Sequence, residues 1–170
     1  MRCLILLGLL FCLIGCDGAR VEVVAYLDRI QPLQDRSTSL SQENQLAAES
    51  ILAGTASNPS QVVEEVRKRT DSLREVRGEA GKAEVPPPAT ELHARFLAYL
   101  DSLLALHEGL SAALTAATST APSQPETEQP DLEKLLGEVA KTTDSLQAEH
   151  QRLVQEFRIS VASSTATPQR

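Results

Sequence analysis

Leu92, Phe96, Tyr99, Leu103, Leu106, Leu110 and Ala113 recur at alternating four- and three-residue spacing. That period is the one that keeps apolar groups on one face of an α-helix, and it does not fit the two-residue alternation of a half-buried strand. Leu97, Leu100, Leu104 and Leu114 widen the stripe. A helix with so broad an apolar face folds only if other helices cover it, and three further segments offer matching seams. The fourth carries Leu132, Leu136, Val139, Thr143, Leu146, His150, Leu153 and Phe157, opposite a face of Glu133, Lys134, Lys141, Gln147 and Gln151. The second offers Val63, Val66, Thr70 and Leu73, and the first Tyr26, Ile30, Leu33, Ser37, Leu40, Asn44, Ala47 and Ile51. No segment alternates convincingly. The expected fold is all-α, an elongated bundle of about four amphipathic helices with the leucine seam of the third at its centre.

Pro, Gly and Ser/Thr punctuation sets the segment limits. Ala19 to Ala53 ends at Gly54 and Asn58-Pro59, and Ser60 runs to about Gly78. Ala89 to Thr118 follows Pro86-Pro87-Pro88, and Pro130 runs to about Ser160. Pro32 removes an amide donor inside the first segment, so a kink is expected there, with the opening stretch as a separate short helix. The bundle is assigned to residues 20–160, with Pro-rich linkers near 82–88 and 119–130. Ser/Thr/Ala/Pro composition without an apolar stripe predicts a flexible connection over about Ala117–Gln129 and a disordered tail over 161–170.

Two blocks recur along the chain. Ala25-Tyr26-Leu27-Asp28 returns as Ala98-Tyr99-Leu100-Asp101, and the block from Glu65 to Leu73 returns from Glu138 to Leu146, both at an offset of 73 residues. Tyr26, Ile30 and Leu33 thereby align with Tyr99, Leu103 and Leu106. Residues 20–78 and 93–151 read as two copies of one helical hairpin. Thr70 then matches Thr143 and Arg77 matches His150. The expectation is that both threonines bond back to their own helix and that water reaches Arg77 and His150; a buried polar layer that sets register is the alternative.

Composition narrows the partners. The chain carries 16 basic and 23 acidic residues, a net charge of -7, and such acidity excludes nucleic acid, whose phosphates need a Lys/Arg surface. Only 3% of residues are aromatic and none is Trp, so an aromatic-lined ligand pocket is not expected.

The N-terminus reads as an address. Met1-Arg2 is a short positive start, and Leu4 to Leu13 is an apolar run too short to span about 30 Å of hydrocarbon. Leu13-Ile14-Gly15-Cys16 follows it and resembles the lipobox of bacterial lipoproteins: an apolar residue, a tolerant position, a small residue before the cut, then Cys. Cys3 precedes the apolar run and Cys12 follows bulky Phe11, so Cys16 alone fits. The resemblance covers only this segment. It implies that residues 1–15 are a signal peptide, that Cys16 is lipidated through its thiol, and that 16–19 form the anchor and a short tether. It also implies attachment to a bacterial cell membrane, facing outward from the cytoplasm; Asp17 resembles the signal that retains Gram-negative lipoproteins on the periplasmic side of the inner membrane. With Cys16 acylated no thiol is left in the mature chain for a disulfide, a metal or redox chemistry.

No catalytic constellation is present. His93, His107 and His150 are the only nitrogen ligands of the histidine type. His93 and His107 share a helix face but lie about 21 Å apart along it, so they cannot hold one ion. Glu64-Glu65, Glu126 and Glu128 read as solvated face or linker. No haem motif and no Gly-x-Ser-x-Gly elbow occurs. No catalytic residue, cofactor or metal is therefore expected. The function expected by elimination is a membrane-anchored envelope protein whose helical module meets a protein partner or another copy of itself. The alternative is a small-ligand or metal-sensing bundle, which would need a cavity.

Overall fold

The computed structural model describes residues 2–118 and 131–159, with side chains from Gly18 onward. It is an all-α bundle: α1 (Arg2–Leu52), α2 (Pro59–Ala80), a single 3-10 turn (Pro87–Ala89), α3 (Thr90–Thr118) and α4 (Leu132–Glu156). No strand occurs among the described residues. Of the connection expected to be flexible over about Ala117–Gln129, Ala117 and Thr118 form the end of α3, and the rest, with the tail 161–170, lies outside the described residues.

Each helix limit has a local cause. Asn58 and Asp131 cap α2 and α4, their side chains accepting the amides of Gln61 and Lys134, which satisfies donors that have no partner in the first turn. Gly54, at φ +68°, ends α1: its amide reaches the Ile51 carbonyl and that of Thr55 reaches Ser50, a left-handed cap that glycine adopts without a Cβ penalty. α4 ends in the same pattern, with Arg158 at φ 48° and the amide of Ile159 on the carbonyl of Val154.

Inter-helix pairs give the topology. Arg36 meets Glu75 and Glu79, and Arg69 meets Glu43, so α2 runs antiparallel to α1. Arg74 pairs with Glu108 and Arg77 with Asp101, turning α3 against α2. Ser102 bonds Thr142 and Arg95 donates to Ser145, turning α4 against α3. Tyr26 beside His93 and Asn44 beside His107 make α1 and α3 parallel. α3 touches all three other helices, which is why its face is the broadest.

The core has two apolar clusters. The larger gathers Tyr26, Ile30, Leu73, Phe96, Leu103 and Leu153 with their neighbours; the smaller holds Ala48, Val63, Val66 and Leu114. Ser37, Asn44, Thr70 and His107, the buried polar side chains, occupy the stretch of α1, α2 and α3 between them.

Four expectations change. α1 is one helix through Pro32 rather than a short helix followed by a long one. Pro32 is exposed, so the carbonyl its ring leaves free faces water, while Ile30 and Ser37 on either side are held in the core. The centre of the α3 seam is Leu92, Phe96, Leu100, Leu103, His107 and Leu114, whereas Tyr99, Leu106 and Leu110 are half-buried. Packing against three helices shifts the innermost line of α3 off the simple four-three stripe. The α4 seam is only partly used: Leu146 and Leu153 are buried, but Leu136 is 56% exposed and Thr143 faces solvent. The Pro-rich stretch near 82–88 is not wholly outside the fold, since Val85 packs on the main cluster and Ala89 behind it is buried.

Candidate functional site

The polar chemistry of the bundle lies between α1 and α3. The α3 register places His107 four residues after Leu103 and seven before Leu114, on the buried line, and the α1 register places Ser37 and Asn44 opposite. His107 is 3% exposed. Its Nδ1 lies 3.3 Å from Asn44 Nδ2 and its Nε2 lies 3.1 Å from Ser41 Oγ. In this orientation of the Asn44 amide Nδ1 accepts, and the ring proton lies on Nε2, toward Ser41. Burial lowers the pKa of His107 and keeps the ring neutral. Asn44 Oδ1 is buried without a partner.

Serine, histidine and asparagine in one chain of bonds resemble a nucleophilic triad in composition, but Ser41 and Asn44 both lie on α1, and in this amide orientation the ring donates to the serine hydroxyl, whereas a general base accepts from it. What the arrangement does is join two helices at one register, because a one-turn slip would strand the buried amide and the imidazole without partners.

A second histidine contact lies toward the other end of α1. The Tyr26 hydroxyl and His93 Nδ1 share a hydrogen bond at 3.0 Å, ring edge to ring face with centroids 6.0 Å apart. Burial raises the Tyr26 phenol to about 12. His93 is lowered, by burial first and by the charge of Arg77 second. Tyr99 is also raised by burial, against a smaller opposing effect of the Ser37 and Thr38 hydroxyls. His93 thus spends one ring nitrogen on α1 and His107 both, and among the described residues no group of three or more His, Cys, Asp or Glu is placed to hold a metal.

Thr70 and Thr143 both bond back, to the carbonyls of Val66 and Val139, as expected, though one is buried and the other exposed. Arg77 is a third exposed and paired with Asp101; His150 is half-buried. Glu64 pairs with Arg67 on the outer face of α2 and Glu65 with Arg69 beside α1, and Glu126 and Glu128 lie outside the described residues. The Ser41–His107–Asn44 cluster was not anticipated as a unit. Its signal was present, since Asn44 sits in the α1 seam and His107 continues the Leu100, Leu103 line.

Cys16 falls within α1, one turn before Arg20, whose guanidinium donates to the Arg158 carbonyl at the end of α4. Val23, a further turn on, is fully buried. Among the described residues no helix is long and apolar enough to cross a membrane. Comparison with protein-family models, curated proteins and solved structures finds no match to this chain.

Proposed function

We propose that this chain is a bacterial envelope lipoprotein, held to the membrane through lipid on Cys16 and presenting its helical bundle to a protein partner. The observation that carries the reading is Leu13-Ile14-Gly15-Cys16 after an apolar run. An acidic body is repelled by anionic lipid, so attachment would come from the acyl chains, each buried CH2 contributing about 0.8 kcal/mol. The short distance in sequence from Cys16 to Arg20 supports a bundle held close to its anchor, with the α1 start and the α4 end nearest the bilayer and the Gly54 turn farthest from it. Some 30 residues of α1 between those ends correspond to roughly 50 Å.

The experiment is metabolic fatty-acid labelling and membrane fractionation of the full chain and its Cys16→Ser variant. Label and membrane attachment that both depend on Cys16 are the expected result. Label retained by the variant, or attachment unchanged in it, overturns the reading.

A further inference from the structure

The two halves of the bundle match at the 73-residue offset in more than sequence. The capping residues Asn58 and Asp131 stand at that offset, and so do the helix starts Pro59 and Leu132. The side each helix turns to its hairpin partner also corresponds. Arg69 of α2 holds Glu43 of α1, and its counterpart Thr142 of α4 bonds Ser102 of α3, 14 residues before the position that matches Glu43, so the same side of the helix is used although the hairpins are displaced along their axes.

The other side of the hairpin is where the halves differ. On α2 the strip Val63, Thr70, Arg74, Arg77 is covered by α3: Val63 and Thr70 are 7% and 3% exposed, and the arginines pair with Glu108 and Asp101. The matching strip on α4 is Leu136, Thr143, Gln147 and His150. Leu136, Thr143 and Gln147 are exposed and His150 is half-buried, because no described helix follows α4 as α3 follows α2. The complementary strip is also present and also open. The counterparts of Asp101 and Glu108 on α1 are Asp28 and Asp35, both exposed and neither in an ion pair among the described residues. Beside Asp28, Val21, Val24 and Ala25 line a shallow apolar groove.

We propose that the chain self-associates head to tail, the α4 strip of one copy packing on the outer α1 strip of the next as α2 packs on α3 within one copy. The occupant is a second copy because this chain already builds that contact internally and carries both halves of it unused. In the register of the internal contact His150 faces Asp28 of the next copy, as Arg77 faces Asp101, and Gln147 faces Asp35, as Arg74 faces Glu108. Imidazole and amide N–H groups donate to those carboxylates. The directions are self-consistent: α1 of the next copy runs antiparallel to α4 and so parallel to the first α1. Every copy thus points its N-terminus the same way, as anchoring in one membrane requires. The contact uses two different surfaces, so it propagates along a chain or around a ring rather than closing as a two-fold dimer.

The test uses the detergent-solubilised full chain with Cys3→Ser and Cys12→Ser, run as parent and with Asp28→Cys or His150→Cys added. A bis-maleimide crosslinker should give dimers when the two variants are mixed, well above the parent and above either variant alone. The chain carrying both substitutions should give a ladder. Sedimentation of the parent should show mass rising with concentration beyond the monomer, and Thr143→Arg, on an exposed site, should abolish the rise while leaving the helical melting curve unchanged. A parent that stays monomeric overturns the proposal, as does crosslinking of each variant alone as strong as in the mixture, which would mean a symmetric or random contact. Lipid labelling of Cys16 is read separately, so failure of the anchor and failure of the self-contact are distinguishable.

Discussion

The side-chain amide of Asn44 donates to Nδ1 of His107 across 3.3 Å, tying α1 to α3 at the level where the core is polar. The ring accepts from Asn44 as a neutral imidazole, the form that its burial favours.

Stability should consequently fall in mild acid. Burial lowers the folded-state pKa of His107, and that of His93 with added repulsion from Arg77, while the unfolded chain takes up protons at about pH 6.5. The unfolded state binds more protons below that pH, so the stabilisation is complete above about 6.5 and is lost as pH falls toward the folded-state values. Thermal melts should show a falling midpoint across that window. His107→Gln should lower the midpoint at neutral pH and flatten its fall, leaving the part due to His93. An unchanged slope in the variant contradicts the assignment.

Leu100 and Leu106 separate the observed core from the simple four-three stripe. Leu100 is fully buried and Leu106 half-buried. Leu100→Ala should cost about 2 to 5 kcal/mol, and Leu106→Ala about 1 kcal/mol. Urea unfolding of the two variants measures both, and equal losses would place the seam where the stripe alone puts it.

Tyr26 offers a spectroscopic check. Its phenol is raised to about 12 by burial, so absorbance titration should show no Tyr26 phenolate near pH 10, the ordinary range. Tyr26→Phe keeps the ring and removes the bond to His93, which should cost about 0.5 to 1.5 kcal/mol. A phenolate appearing at the ordinary pH would mean that the ring is solvated.

Arg158 closes α4 in a left-handed conformation, at φ 48°. Arg158→Gly should remove a strain of about 1 kcal/mol and raise the melting midpoint. The carbonyl that accepts from Arg20 is backbone and is retained. Arg158→Ala removes the charge but keeps the Cβ, so it should not stabilise; a gain of equal size in both variants would point to charge instead.

The helices themselves were legible in the sequence. The α2 seam of Val63, Val66, Thr70 and Leu73 and the α1 seam through Tyr26, Ile30, Ser37 and Asn44 are buried as their spacing requires, because 3.6-residue periodicity is a local property that each segment carries alone. The starts of α2 and α4 fall within two residues of the breaks read at Asn58-Pro59 and Pro130, where Asn58 and Asp131 cap within one turn, whereas α1 starts at Arg2 rather than Ala19. Tertiary structure decided which sector of a wide stripe is innermost. Around α3 the buried line passes through Leu100 and His107 rather than Tyr99 and Leu106, and that depends on the directions from which α1, α2 and α4 approach, which no periodicity encodes. It also decided that Leu136 stays exposed while its counterpart Val63 is buried, since burial belongs to a neighbour's position and not to the residue. The pairing of Asn44 with His107 came the same way: each is a polar residue in its own seam, and only the parallel packing of α1 on α3 brings a donor to an acceptor 63 residues away.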